Sequence, residues 1–187
     1  MFDFVDAKTL YTIGHLLGVA FGVGGAYLGD GMFFLSMKDK QISQTEFRFM
    51  KFAGTFVWFG LALFLISGIL LTSMDPERYF ASSKYLAKMV VVAVIIINGI
   101  IFHAVHLKRI KRCIGIYLPS SKEFQSFSLG MYISGAVSVV SWTFALVLGA
   151  FRSIPYEPVI ILGVYALALV FSISMALIMR KRFLSTS

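Results

Sequence analysis

Five long apolar blocks, separated by short charged or proline-bearing segments, dominate the chain. They cover approximately 9–37, 49–73, 83–107, 124–151 and 159–179. A helix needs roughly 20 apolar residues to cross the hydrocarbon core of a bilayer, and each block is about that long or longer. The pattern predicts an all-α integral membrane protein, one five-helix transmembrane bundle over residues 1–187. The breaks carry their own signals. Ser43-Gln44-Thr45-Glu46 has the spacing of a capping box before the second helix. Asp75-Pro76 ends that helix, and a short connection leads to the third. The segment 119–123 reads as a turn and a new helix start, Pro155 and Pro158 mark a tight connection, and Arg180-Lys181-Arg182 closes the last span.

Composition strengthens this reading. The chain is 58% hydrophobic and 14% charged, against nearly half apolar and about a quarter charged in an ordinary soluble domain. Its net charge of +8 would suggest nucleic acid on a soluble protein. Here the basic residues lie between and after the spans, so the charge reads as a topology signal and as attraction to lipid head groups, not as a nucleic-acid surface. Twelve Lys and Arg fall in the 38–51 and 108–122 loops and the C-terminal tail, and five on the opposite side. The positive-inside bias therefore places the N-terminus outside and the C-terminus in the cytoplasm. Asp3 and Asp6 stand where a signal peptide would carry basic residues, so the first span is expected to be a retained helix. The lone Cys113 excludes an intramolecular disulfide.

Small residues recur every four positions at Gly14, Gly18 and Gly22, and again at Gly130, Ser134 and Ser138. Such stripes let helix backbones approach closely in lipid, within one bundle or between copies in a homo-oligomer, and they can open space for a flat cofactor.

Ionisable groups inside a span are costly and so are candidate functional residues. The first span holds His15 and Asp30, and the third holds Lys88, Asn98 and His103, with His106 expected at the interface beside the 108–112 basic run. His15 and Asp30 are fifteen residues apart, as are Lys88 and His103. Fifteen residues rise about 22 Å and leave only about 60° between the two positions. Adjacent first and third spans would then set His15 at the depth of Lys88, and Asp30 at the depth of His103. A neutral His15 suits an axial position on haem iron. Lys88 can snorkel to the interface or, desolvated, act as ligand or base. Asp30 with His103 can form a carboxylate–imidazole pair that orients a ligand, relays protons or only fixes packing. Trp58 and Trp142 lie within spans and can line a pocket.

Gly14-His15-Leu16-Leu17-Gly18 followed by Gly24-Gly25, together with Lys88-Met89-Val90-Val91-Val92, resembles the first and a later helix of HemJ-type membrane proteins and their copper-resistance D relatives. That resemblance implies haem b bound through His15 and Lys88, and porphyrinogen oxidation. Trp58-Phe59-Gly60, Asn98-Gly99, His103 and Ser141-Trp142 also resemble a pattern in small uncharacterised bacterial membrane proteins. The chain departs from the HemJ pattern at Phe21 and at Leu28-Gly29-Asp30, where that family carries Trp and Pro-Arg. Three functions follow as expectations. The first is a b-type haem protein for electron transfer or oxidation, with His15, Lys88 or His103 as cofactor ligands. No flavin or nicotinamide motif is present, so its electrons would come from quinol or a membrane redox partner. The second is a proton- or cation-coupled transporter built on Asp30, Asn98 and His103. The third is a non-catalytic membrane subunit or scaffold.

Overall fold

The computed structural model describes residues 6–185, so Asp3 lies outside the described residues. Seven α-helices follow one another: α1 Ala7–Lys38, α2 Gln44–Met74, α3 Pro76–Phe80, α4 Ser83–Ile101, α5 Leu107–Arg112, α6 Lys122–Ala150 and α7 Pro158–Leu184. A π-helical stretch, Phe102–His106, joins α4 to α5 without a break. Five helices, counting Ser83–Arg112 as one, are long and apolar enough to cross a membrane. The length and composition of these helices are consistent with a multi-pass membrane protein. The helices overrun the sequence boundaries at most ends. α7 continues through its basic cluster to Leu184, because Lys and Arg are good helix formers and favour a helix C-terminus.

The punctuation in the sequence is used as expected. Ser43 Oγ accepts from Glu46 N (3.1 Å), and Glu46 Oε2 accepts from Ser43 N (2.7 Å), closing the capping box of α2. Asp75 caps α3 with Pro76 in its first turn, Ser121 caps α6, and Pro158 opens α7.

The tightest seam is between α1 and α2. A Cβ at Gly18 would stand 2.8 Å from Phe64 Cα and 2.9 Å from Gly60 O, and one at Gly25 would stand 2.8 Å from Ala53 O. Gly60 meets the backbone of Gly18 and Gly22 in return, and the Trp142 indole presses on Gly22 from α6. The glycine stripe of α1 is therefore spent inside the chain. The second stripe is also internal. Gly130 lies under His106, Ser134 bonds Asn98, and Gly135 borders Asp30. α4 and α7 close the bundle against α6. The central core joins Ala26, Leu61, Phe64, Val91, Val92, Ile95, Trp142 and Tyr165. The outer faces are apolar, with Val159, Leu167 and Phe171 each more than 70% exposed, as lipid contact requires.

At one end the two basic loops grip each other. Leu118 N donates to Lys40 O and Gly115 N to Ile42 O, both at 2.9 Å, while Gln41 Nε2 donates to Gly115 O at 2.8 Å. Gly115 takes a left-handed φ of +76°, which a residue without Cβ adopts freely. Ile42, Cys113 and Leu118 are fully buried beneath this clamp. Burial pushes the Cys113 thiol above its ordinary range, and Glu123 adds to this. Arg180 ties the end of α7 to the start of α6 through Ser128 Oγ (2.8 Å).

Close backbone approach makes a signed prediction. Gly18→Ala and Gly60→Ala should each cost about 1–3 kcal/mol by overpacking. Gly24→Ala and Gly31→Ala should be neutral or stabilising by up to about 1 kcal/mol, because nothing lies within 4 Å and alanine is the better helix former. Thermal unfolding of the four variants in mild detergent reads the sign directly.

Candidate functional site

Polar groups spaced fifteen residues apart on α1 and on the third span fall in two layers, although α1 packs chiefly on α2 and α6, and α4 on α6 and α7. In the first layer, at the end of the bundle carrying α3, Lys88 Nζ lies 3.3 Å from His15 Nε2. His15 Nδ1 lies 3.1 Å from Ser67 Oγ. The Ser67 hydroxyl is itself engaged as a donor, to Leu63 O at 2.6 Å. Its oxygen therefore accepts from Nδ1–H, and the imidazole carries its free lone pair on Nε2. A protonated Lys88 donates to that lone pair.

Local packing holds this arrangement. The His15 ring stacks on Phe64, with centroids 4.4 Å apart, and Lys88 Nζ lies 5.0 Å over the same ring. Glycines make the room. A Cβ at Gly68 would be 3.5 Å from the His15 ring, and one at Gly149 would be 3.9 Å from Lys88 Nζ. His15 and Lys88 are each half-buried and open onto a cavity of about 380 Å³. Apolar walls come from Phe64, Leu65, Ile69, Leu71, Met89 and Leu148. Lys8, Arg78, Lys84, Lys88 and Arg152 also line the cavity, and among the described residues no carboxylate does. Five like charges around one cavity repel one another, so the site favours an anionic guest.

The sequence reading placed His15 beside Lys88, and the structure brings them into contact. It did not single out Ser67 or the cationic ring. Ser67 was one serine in an apolar block. The four cations beyond Lys88 had entered only as a count of loop charge.

The second layer lies toward the clamped end. Asp30, Trp58, Asn98, His103 and Trp142 all line one smaller cavity of about 60 Å³. They do not form the expected carboxylate–imidazole pair. Asp30 turns to α6, where Oδ1 lies 3.6 Å from a Cβ built on Gly135 and Ser138 offers its hydroxyl. Oδ2 is buried without a hydrogen-bond partner. His103 is exposed and sets its ring edge-on to Trp58, centroids 6.5 Å apart. Asn98 bonds across to α6 at both ends of its amide. Its Nδ2 donates to Ser134 O (3.1 Å), and Ser134 Oγ donates to its Oδ1 (2.9 Å), pinning α4 to α6.

His106 corrects the expectation of an interfacial side chain. It is 5% exposed, sits over Gly130, and leaves Nδ1 buried without a partner. The π-helical stretch explains the exchange. A wider turn alters the rotation per residue, so His106 faces α6 while His103 faces the rim, which α-helical arithmetic could not anticipate.

No family model, curated protein or solved structure matches the chain.

These contacts differ in how their losses combine. Asn98→Ala and Ser134→Ala should be non-additive, with a coupling of about 0.6 kcal/mol or more, as for interhelical hydrogen bonds in membranes. Asp30→Asn and His103→Ala should add to within about 0.5 kcal/mol, since the side chains do not bond. Two double-mutant cycles of unfolding in detergent check both statements.

Proposed function

We propose that this protein binds haem b in the 380 Å³ cavity, with His15 as an axial ligand, and uses it for electron transfer or oxidation within the membrane. The observation that carries the reading is the fixed tautomer of His15: Ser67 holds Nδ1–H, which leaves the Nε2 lone pair, now bonded by Lys88, as the position a metal would take. Haem-ligating histidines need such a partner to hold ring and tautomer. The surroundings fit the same guest. Apolar walls match the macrocycle, and Arg78, Lys84 and Arg152 offer charge to its two propionates. Lys88 holds the same lone pair at 3.3 Å, and would have to release it and lose its proton to serve as a second ligand. The resemblance to HemJ-type proteins at His15 and Lys88 points the same way.

When bound, haem supplies a one-electron iron couple tuned by its axial ligands and by the polarity of its pocket. The chain's own residues do the rest. Ser67 orients the imidazole, the cations neutralise carboxylates, and Phe64 covers one side of the imidazole. In this reading the cationic cavity opens on the outer side of the membrane, because the larger share of basic residues sits at the clamped end, in the cytoplasm. Quinol or a membrane redox partner would supply the electrons.

The visible absorption spectrum of the purified protein in mild detergent tests this, oxidised and then dithionite-reduced. A Soret band that shifts on reduction, with near-stoichiometric haem, is expected. His15→Ala should fold and lose the haem. Ser67→Ala should retain it about 10–100-fold less tightly. A protein that stays colourless after haem supplementation overturns the proposal, and full occupancy in His15→Ala removes that ligand.

A further inference from the structure

The second cavity takes no part in the proposed haem chemistry, and it carries an unmet demand of its own. A carboxylate inside an apolar bundle needs a donor or a positive partner for each oxygen. Asp30 Oδ2 has neither, although it is buried. Among the described residues, no Lys or Arg lines this cavity. His103 lines it but directs its ring at Trp58. Both tryptophans of the chain are on its wall. Gly25, Gly29, Gly54 and Gly99 line it, and α2 makes little contact with α4.

We propose that this cavity binds a small organic cation, a primary or methylated ammonium, between the Asp30 carboxylate and the indoles of Trp58 and Trp142. The alternatives fail on the donor set. An anion would face a carboxylate with no cation beside it. A neutral apolar guest would leave Oδ2 as it is. A metal ion such as Ca²⁺ requires about six or more oxygens. Even with Asn98 Oδ1 and Ser134 Oγ, which bond each other, the described side chains lining the cavity offer only five oxygens, two of Asp30 and one each of Asn98, Ser134 and Ser138. An ammonium needs one carboxylate and gains from indole faces, the best aromatic partners for a cation. The cavity's small size, about 60 Å³, limits the guest to a small head group.

The two indoles make the site its own reporter. Methylammonium chloride is titrated into the purified full-length protein in mild detergent, with tryptophan fluorescence as readout and sodium chloride at equal ionic strength as control. The titration is run on the wild type and on His15→Ala, because haem in the other cavity would quench the same indoles. A saturable change with methylammonium and none with sodium is expected in both proteins, whatever the outcome for haem. Asp30→Asn should abolish it. Gly54→Leu, which places a side chain at the cavity wall without touching Asp30, should block it. The absence of a saturable change in both proteins overturns the proposal, as does an equal response to sodium. So does a response that survives in Asp30→Asn or, should that variant fail to fold, in Gly54→Leu.

Discussion

Everything in this bundle depends on how closely α1 and α2 approach. In lipid there is no apolar driving force between helices, so association rests on van der Waals contact and on the few hydrogen bonds available. Gly18, Gly22 and Gly25 give α1 a face without side chains, and Gly60 gives α2 the matching notch. Backbone meets backbone there, and the consequence extends to the polar site. The same seam that seats Gly18 on Phe64 lays the His15 ring, one turn earlier, over the Phe64 side chain. A wider seam would carry His15 away from Ser67 and so release its tautomer.

The polar groups fall into two layers of opposite electrostatic character. One gathers cations around an imidazole lone pair, with no carboxylate among the described lining residues. The other holds a carboxylate with no Lys or Arg beside it. About four helical turns of α1 separate His15 from Asp30. Coulomb attraction between the layers is weak across that distance in comparison with a direct contact. Each layer therefore lacks a counter-charge within reach among its described lining residues, and the guests proposed above, one anionic and one cationic, would supply it. Direct pairing inside the chain would have satisfied both groups and removed both sites.

Other hydrogen bonds between helices are structural. Asn98 with Ser134, Ser141 with Tyr165 (2.7 Å) and Tyr27 with Thr143 (2.6 Å) each join two helices and leave little capacity for a ligand. A polar residue inside a membrane span is thus a candidate for function until its partners are counted. Asn98 fails that count, and Asp30 passes it.

The five membrane-crossing helices and their caps were legible in the sequence, because the length of an apolar run and the chemistry of a helix terminus are local properties. So was the shared depth of His15 and Lys88, because helix rise fixes relative depth along two spans that run the same way. Three things were decided only by tertiary structure. Ser67 became the partner of His15 through the α1–α2 seam, a contact 52 residues apart that no local pattern announces. The π-helical stretch exchanged the faces of His103 and His106, because one wider turn cancels the regular periodicity from which a face is inferred. And four cations that the sequence presented only as a topology count, Lys8, Arg78, Lys84 and Arg152, converged with Lys88 on one cavity, because helix packing, not sequence order, determines where the ends of separate helices meet.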